Sequence, residues 1–185
     1  MPELPEVETI RLGLMRVLPG KIVKTIDVRI PKLFRGDPHF LVGRSISQIR
    51  RRAKVLIIDF DNDHSLLIHL KMTGQLVYQS PDEQDKVVGG HPQAAYNQPM
   101  PHSHTHVIFN FTDGSRLYFN DLRKFGWLEV TPTSTAIEFG FLNTAGPEPL
   151  GGDFTAEVFK HRLMKYPNRL IFPSLMDQSL VAGLG

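Results

Sequence analysis

Val7, Ile10, Leu14, Val17 and Leu18 recur at helical spacing and stop before Pro19-Gly20, which predicts one amphipathic helix over residues 5–18. After it the period changes to two. Ile22, Ile26, Val28 and Ile30 predict a strand, and Ile46–Ile49, Val55–Phe60, Leu66–Leu70 and Leu76–Tyr78 predict more. Asp61-Asn62-Asp63 marks a turn between two of these runs. Residues 79–103 carry Pro81, Pro92, Pro99, Pro101 and Gly89-Gly90, and read as a long loop. Val107, Phe109 and Phe111 then alternate, Asp113-Gly114 signals a type I′ hairpin, and Leu117 and Phe119 continue the return strand. Gly126–Val130 adds a last short strand. A single helix followed by many short antiparallel strands implies a mainly β fold: an N-terminal β-sandwich over residues 1–131 with the helix on its side.

The pattern changes again after the sandwich. Pro132, Pro147, Pro149 and Gly151-Gly152 mark residues 132–152 as a linker. Asp153 is the expected N-cap of a helix through Tyr166, with Phe154, Val158, Phe159 and Leu163 on its apolar side, and a second helix is expected near Ser174. The chain reaches Gly185 in Leu-Val-Ala-Gly-Leu-Gly, an apolar stretch containing nothing that closes a domain. Residues 153–185 are therefore expected to be an incomplete helical region of a fragment. Such a chain is expected to fold its sandwich but to bind a partner weakly.

Composition narrows the function classes. Hydrophobic content of 41% and charged content of 22% describe a chain with a real core. The sequence has no apolar run near 18 residues, so a membrane partner is not expected, and no signal-peptide core opens it. The expected location is cytoplasmic. With no cysteine, disulfides and cysteine-based zinc sites are excluded within the chain, and no metal or cofactor is expected. The formal charge is only +2, so affinity for nucleic acid must come from a local patch. Arg44, Arg50, Arg51, Arg52 and Lys54 supply one. Alternation places Arg50, Arg52 and Lys54 on one face if the strand extends back that far.

Four groups of residues can carry chemistry. Pro2 follows Met1 directly, and removal of Met1 would leave a secondary amine at the terminus beside Glu3. An α-amino group titrates near neutrality, so a useful fraction is nucleophilic and can attack a sugar C1′ to give an iminium, while Glu3 supplies a proton. The plain alternative is that Pro2 and Pro5 merely start a helix. Met72 lies just before Gly74, after His69, and Arg123 and Phe125 lie just before Gly126. Apolar tips of this kind can fill the gap left by an extracted base, and an arginine fork can read the orphaned partner. The alternative for Met72 and Phe125 is core packing. His102, His104 and His106 alternate, which suits phosphate contact better than a metal site, since no carboxylate or cysteine lies close in sequence.

The octet Pro-Glu-Leu-Pro-Glu-Val-Glu-Thr at residues 2–9 resembles the N-terminus of the formamidopyrimidine-DNA glycosylases. Arg-Arg-Ala-Lys54, His69-Leu-x-Met72-x-Gly, His104-Thr-His106-Val, Asp121-x-Arg-x-Phe-Gly126, Gly146-Pro-Glu-Pro-Leu150 and Pro173-x-Leu-Met-Asp follow in the family's order. The resemblance implies a bifunctional glycosylase and AP lyase for oxidised purines such as 8-oxoguanine and formamidopyrimidines. It implies Pro2 as nucleophile, Glu3 as proton donor, Glu6 as a site carboxylate and Lys54 in DNA contact and β-elimination. It further implies His69, His104, Arg52 and Arg123 on DNA, with Met72, Arg123 and Phe125 filling the void. The partner implied is double-stranded DNA holding an oxidised base or abasic site, met by a monomer. The fold implied is a sandwich followed by a helix-two-turn-helix domain and a zinc finger, the last absent here. Leu122 stands where the family usually has proline, and Phe172 where it commonly has lysine. The alternatives are an endonuclease VIII-like preference for oxidised pyrimidines, or a DNA-binding module without catalysis.

Overall fold

In the computed structural model, which describes residues 2–185, the first periodic segment is α1, Leu4–Met15. Pro5 sits in its first turn, where a missing N–H breaks no helical bond. Leu4, Val7, Ile10 and Leu14 form its buried stripe. The predicted helix ran to Leu18; residues 16–18 instead continue as a turn, with the Leu18 N–H still donating to the Leu14 carbonyl at 2.9 Å.

The remaining apolar periods pair into two five-stranded sheets. The first runs β1 (Val23–Val28), β8 (Thr105–Phe111), β9 (Arg116–Asp121), β6 (Gly74–Gln79) and β7 (Lys86–Gly90) in that spatial order. The second runs β2 (Phe34–Arg35), β10 (Trp127–Pro132), β5 (His64–His69), β4 (Val55–Phe60) and β3 (Ile46–Arg52). Neighbours are antiparallel except β2 on β10. The mainly β sandwich with one flanking helix is thus the fold of this chain. Leu56, Ile58 and Ile68 from one sheet meet Val107, Phe109 and Phe119 from the other, with the α1 stripe closing the side. The second sheet is covered on its outer face too. Val55, Ile57, Leu67 and Trp127 pack there under Ala136, Leu142 and Ala182. A strand buried on both faces has no polar side to show, which is why Val55–Phe60 is apolar almost throughout rather than alternating.

Three expectations about connections are corrected. Residues 79–103 are not a plain loop: β7 lies among them and packs its backbone on α1. A Cβ on Gly89 would stand 2.1 Å from the Ile10 side chain, so the glycine pair permits the close approach. The β8–β9 hairpin is not type I′, since only Gly114 takes a positive φ of 88°. Asp113 accepts from the Ser115 N–H at 2.9 Å and the Ser115 hydroxyl at 2.6 Å, which holds it right-handed and lengthens the loop by one residue. The C-terminal apolar stretch does not hang free. Leu180, Val181 and Ala182 are buried, and the Leu4 N–H donates to the Gly183 carbonyl at 3.1 Å.

Residues 132–152, expected as a linker, hold two 3-10 turns at Thr133–Glu138 and Gly140–Leu142 that seal the outer face. Beyond them α2 is Ala156–Leu163 and α3 is Ile171–Met176. Thr155, not Asp153, caps α2, accepting from the Val158 N–H at 3.2 Å. Asp153 falls instead in a turn closed by the Phe154 N–H on the Gly151 carbonyl at 3.1 Å. The helix ends at Leu163 rather than Tyr166, and α3 begins before Ser174. No helix among the described residues is long and apolar enough to cross a membrane.

Candidate active site and nucleic-acid face

The chain start, the β3–β4 turn and the C-terminal stretch converge at one end of the sandwich. Pro2 is buried there, ahead of α1. Gly183 has a φ of 85°, and a Cβ on it would stand 2.7 Å from Leu4, so this close seat requires glycine. Glu6 reaches back from the first helical turn, its Oε2 accepting the Glu3 N–H at 2.9 Å. That bond is one half of a capping box at Glu3 and Glu6 and fixes the backbone beside Pro2. Glu6 therefore serves the helix start, a role the resemblance did not assign. The removal of Met1, on which a free Pro2 amine depends, lies outside the described residues.

Lys54 approaches from the β3–β4 turn. It is buried, and burial holds its ammonium below the ordinary lysine value while the charges of Glu3 and Glu6 pull it back up. A cavity of about 210 Å³ beside it is lined by Lys54, His69, Lys71, Phe141 and Gln178. The His69 Nδ1 accepts from the Lys71 N–H at 2.9 Å, which leaves the proton on Nε2. Its ring lies against Trp127 and Phe141, at centroid distances of 5.6 and 5.9 Å. Burial first, then the charges of Lys71 and Lys54, push its pKa down to about 3. His69 thus enters the cavity as a neutral donor.

That shift has a consequence for acid stability. The folded-state value lies below the ordinary 6.5, so between about 3 and 6.5 the unfolded chain binds this proton and the fold does not. The contribution is complete above pH 6.5 and is lost as pH falls toward 3, at up to ~1.4 kcal/mol per pH unit. Urea midpoints measured from neutral pH downward should show His69→Gln flattening this acid loss. An unchanged slope would mean that His69 titrates like an exposed histidine.

The basic run is not a free phosphate-binding patch, contrary to expectation. β3 ends at Arg52, and Ala53 takes a φ of 51°, so Lys54 lies past the strand and does not share the Arg50 and Arg52 face. Each of the three consecutive guanidiniums, Arg50, Arg51 and Arg52, has an internal partner. Arg50 pairs with Asp59 at 2.5 Å. Arg51 bridges Glu8 at 3.0 Å and Glu148 at 2.6 Å, and Arg52 reaches Glu148 at 3.2 Å and the Ala145 carbonyl at 2.7 Å. The Ala53 N–H also donates to Glu148, at 2.5 Å. The arginines and Glu148 therefore hold the turn that presents Lys54. Sequence reasoning missed Glu148, although the Gly-Pro-Glu-Pro run around it was a usable signal.

Met72, Arg123 and Phe125 do come together. Lys71, with a φ of 52°, bends the β5–β6 turn so that Met72 stands 42% exposed. Lys124, with a φ of 59°, does the same between β9 and β10 for Phe125, which is 55% exposed. The Arg123 Nη1 lies 3.0 Å from the Met72 sulfur, and its guanidinium lies 4.8 Å from the Phe125 ring centroid. Apolar side chains so exposed are not core packing. Behind them sits Asp121, fully buried. Its carboxylate accepts from the Thr73 hydroxyl, from the Arg123 N–H at 3.2 Å and from the Gly126 N–H at 2.7 Å. Asp121 was missed as a functional residue, since a lone aspartate in a strand end carries no signal of what it ties together.

The three histidines do not share one exposed face. His102 is buried against Tyr96, and His106 is buried with Nε2 2.8 Å from the Asp121 carbonyl, so neither can reach a phosphate. A shift in strand register between Thr105 and Val107 breaks the alternation on which the expectation rested. Of the three, His104 alone is partly exposed, its ring edge against Tyr96. A Cys-type zinc site does not fit this chain, which has no cysteine, and no group of three or more metal-binding side chains occurs among the described residues.

Comparison with known proteins gives a consistent result. The model of the formamidopyrimidine-DNA glycosylase N-terminal domain matches residues 1–128. Formamidopyrimidine-DNA glycosylases of Heliobacterium modesticaldum and Listeria innocua are each 39% identical over 190 residues, covering all of this chain. The chain spans 64% and 63% of their respective lengths. Wild-type Lactococcus lactis Fpg, solved with DNA containing N7-benzyl-Fapy-dG, superposes with a TM-score of 0.81 at 32% identity, over all of this chain and 63% of that one. The Lactococcus lactis protein with abasic-site DNA gives 0.81 at 31% identity, again over all of this chain and 63% of that one.

Proposed function

The chain belongs to the formamidopyrimidine-DNA glycosylase family, and from that premise we propose that it removes oxidised purines from duplex DNA and cleaves the abasic site that results. One observation carries the reading: buried Pro2, Glu3 and buried Lys54 meet at one end of the sandwich. With Met1 removed, the Pro2 nitrogen attacks C1′ of the damaged nucleotide. The nitrogen lone pair forms the C1′–N bond as the C1′–base bond breaks and its electron pair leaves with the base. Loss of the N–H proton frees the lone pair again, and it forms the iminium as the C1′–O4′ bond breaks and O4′ takes that electron pair. Glu3 supplies the proton that opens the sugar ring or departs with the leaving group. Lys54, whose ammonium burial holds below the ordinary lysine value, transfers a proton in the following β-elimination. His104 contacts the DNA backbone, and Met72, Arg123 and Phe125 occupy the vacated stack. His69, expected on DNA, is buried and faces the cavity beside Lys54 instead. No step passes through a metal ion.

In this reading residues 153–185 begin a helix-two-turn-helix domain, and the protein acts as a cytoplasmic, nucleoid-associated monomer. A preference for oxidised pyrimidines finds no support, because the relatives carry the formamidopyrimidine name. The test compares a duplex holding 8-oxoguanine with the same duplex holding a preformed abasic site. A protein carrying this chain at the full length of its relatives should cleave both. Phe125→Ala should slow base removal at least ~10-fold and leave abasic-site cleavage near normal, because unstacking costs a few kcal/mol only where a base must be extracted. DNA binding without cleavage of either duplex would make the protein a non-catalytic module. Equal losses on both duplexes would return Phe125 to a packing role.

A further inference from the structure

The apolar tips stand on two separate turns, and a third segment joins them. Tyr96 lies on a 3-10 turn, Ala94–Tyr96, in the stretch between β7 and β8, and its ring is buried. Its hydroxyl donates to the Thr73 carbonyl, next to Met72, and accepts the Leu122 N–H at 2.9 Å, next to Arg123. The ring is stacked on His102 at a centroid distance of 5.6 Å and meets the edge of His104 at 6.2 Å. The Thr73 hydroxyl makes a parallel link, accepting the Arg123 N–H at 3.0 Å while donating to Asp121. Both turns are bent by a positive-φ lysine, Lys71 in one and Lys124 in the other.

From this geometry we propose that Tyr96 is a positioning residue whose hydroxyl sets the spacing of the Met72 tip and the Arg123–Phe125 tip, so that the three side chains enter a duplex as one unit. The proposal rests on the DNA-repair reading above. A wedge works only if its parts arrive in register; tips free to move apart must be ordered during insertion, which lowers the fraction of productive encounters. The phenol suits the task because one oxygen can donate to one turn and accept from the other. Burial also keeps its proton in place, raising the phenol above its ordinary value. His102 and His104 brace the ring, giving the buried member of that histidine pair a task that phosphate contact did not.

The variant is Tyr96→Phe, which keeps the ring and its histidine packing. The readout is the fluorescence of 2-aminopurine placed beside a tetrahydrofuran abasic analogue in a duplex, which reports insertion without any chemical step. Insertion by Tyr96→Phe should slow at least about five-fold, since both buried hydrogen bonds of the hydroxyl are lost. Amide exchange at Leu122 should accelerate while β4 amides keep their protection, so that general loosening is separated from loss of the link. Phe125→Ala serves as the control that removes the wedge itself. Wild-type insertion speed in Tyr96→Phe, with Phe125→Ala impaired, overturns the proposal and leaves the repair reading standing. Loss of β4 protection along with Leu122 also overturns it, since Tyr96 would then be a general stabiliser. Absence of any fluorescence change with the wild-type protein would remove the repair reading and this inference together.

Discussion

Pro2→Gly is expected to cut the borohydride-trapped adduct with 8-oxoguanine or abasic DNA by at least ~100-fold, some 2.7 kcal/mol or more of lost barrier reduction. A glycine terminus still offers an amine, but a primary one on a freer backbone. Pro2 is buried ahead of a helix whose start is tied by Glu6 on the Glu3 N–H and by Leu4 on Gly183. Removing the ring releases that placement at the reacting atom. The measurement needs the N-terminal mass alongside it, because retained Met1 would turn the Pro2 nitrogen into an amide. Trapping that survives the substitution would move the nucleophile to Lys54, the amine that burial holds below the ordinary lysine value.

Glu148→Ala should produce the largest loss of stability, about 3 kcal/mol, and with it a fall of roughly 10 °C in melting midpoint. The side chain accepts from Arg51, Arg52 and the Ala53 N–H together. Its removal leaves Arg51, whose side chain is only 6% exposed, with Glu8 as its one remaining carboxylate. It also leaves a buried N–H beside a residue already held at a φ of 51°. Lys54 follows that residue, so abasic-site cleavage should fall at least ~10-fold. Glu148→Gln keeps an acceptor for the Ala53 N–H and should recover part of both losses. A thermal melt with a cleavage assay decides it: a midpoint within a degree or two of wild type would mean that the arginines are solvated and the turn supports itself.

Much was legible from residue order alone. The α1 stripe, the alternating strands and the sandwich follow from periods of apolar residues, which depend only on local geometry. The octet at residues 2–9 and the two turns bearing Met72 and Phe125 were visible because glycine and proline announce special backbone. Other features were not visible, for physical reasons. Arg50, Arg51 and Arg52 look like a free basic patch until Asp59, Glu8 and Glu148, distant in sequence, neutralise them. The three histidines look equivalent until a register shift buries His106 and packing buries His102. Tyr96 looks like one aromatic in a polar loop until its hydroxyl reaches two other turns.

The sequence by itself determined which elements form, that the chain has one sandwich core, and which residue types could act as nucleophile and proton donor. Periodicity, turn propensity and the intrinsic reactivity of a terminal proline are properties of short segments, so they need no partner. Only the tertiary structure decided which charges are free, which histidine reaches the surface, and that Glu148, Asp121 and Tyr96 hold Lys54 and the apolar tips in place. Those outcomes depend on burial and pairing between residues up to 97 positions apart, as with Arg51 and Glu148. Free charge and fixed geometry are relations between segments, and they come into being when the sheets close.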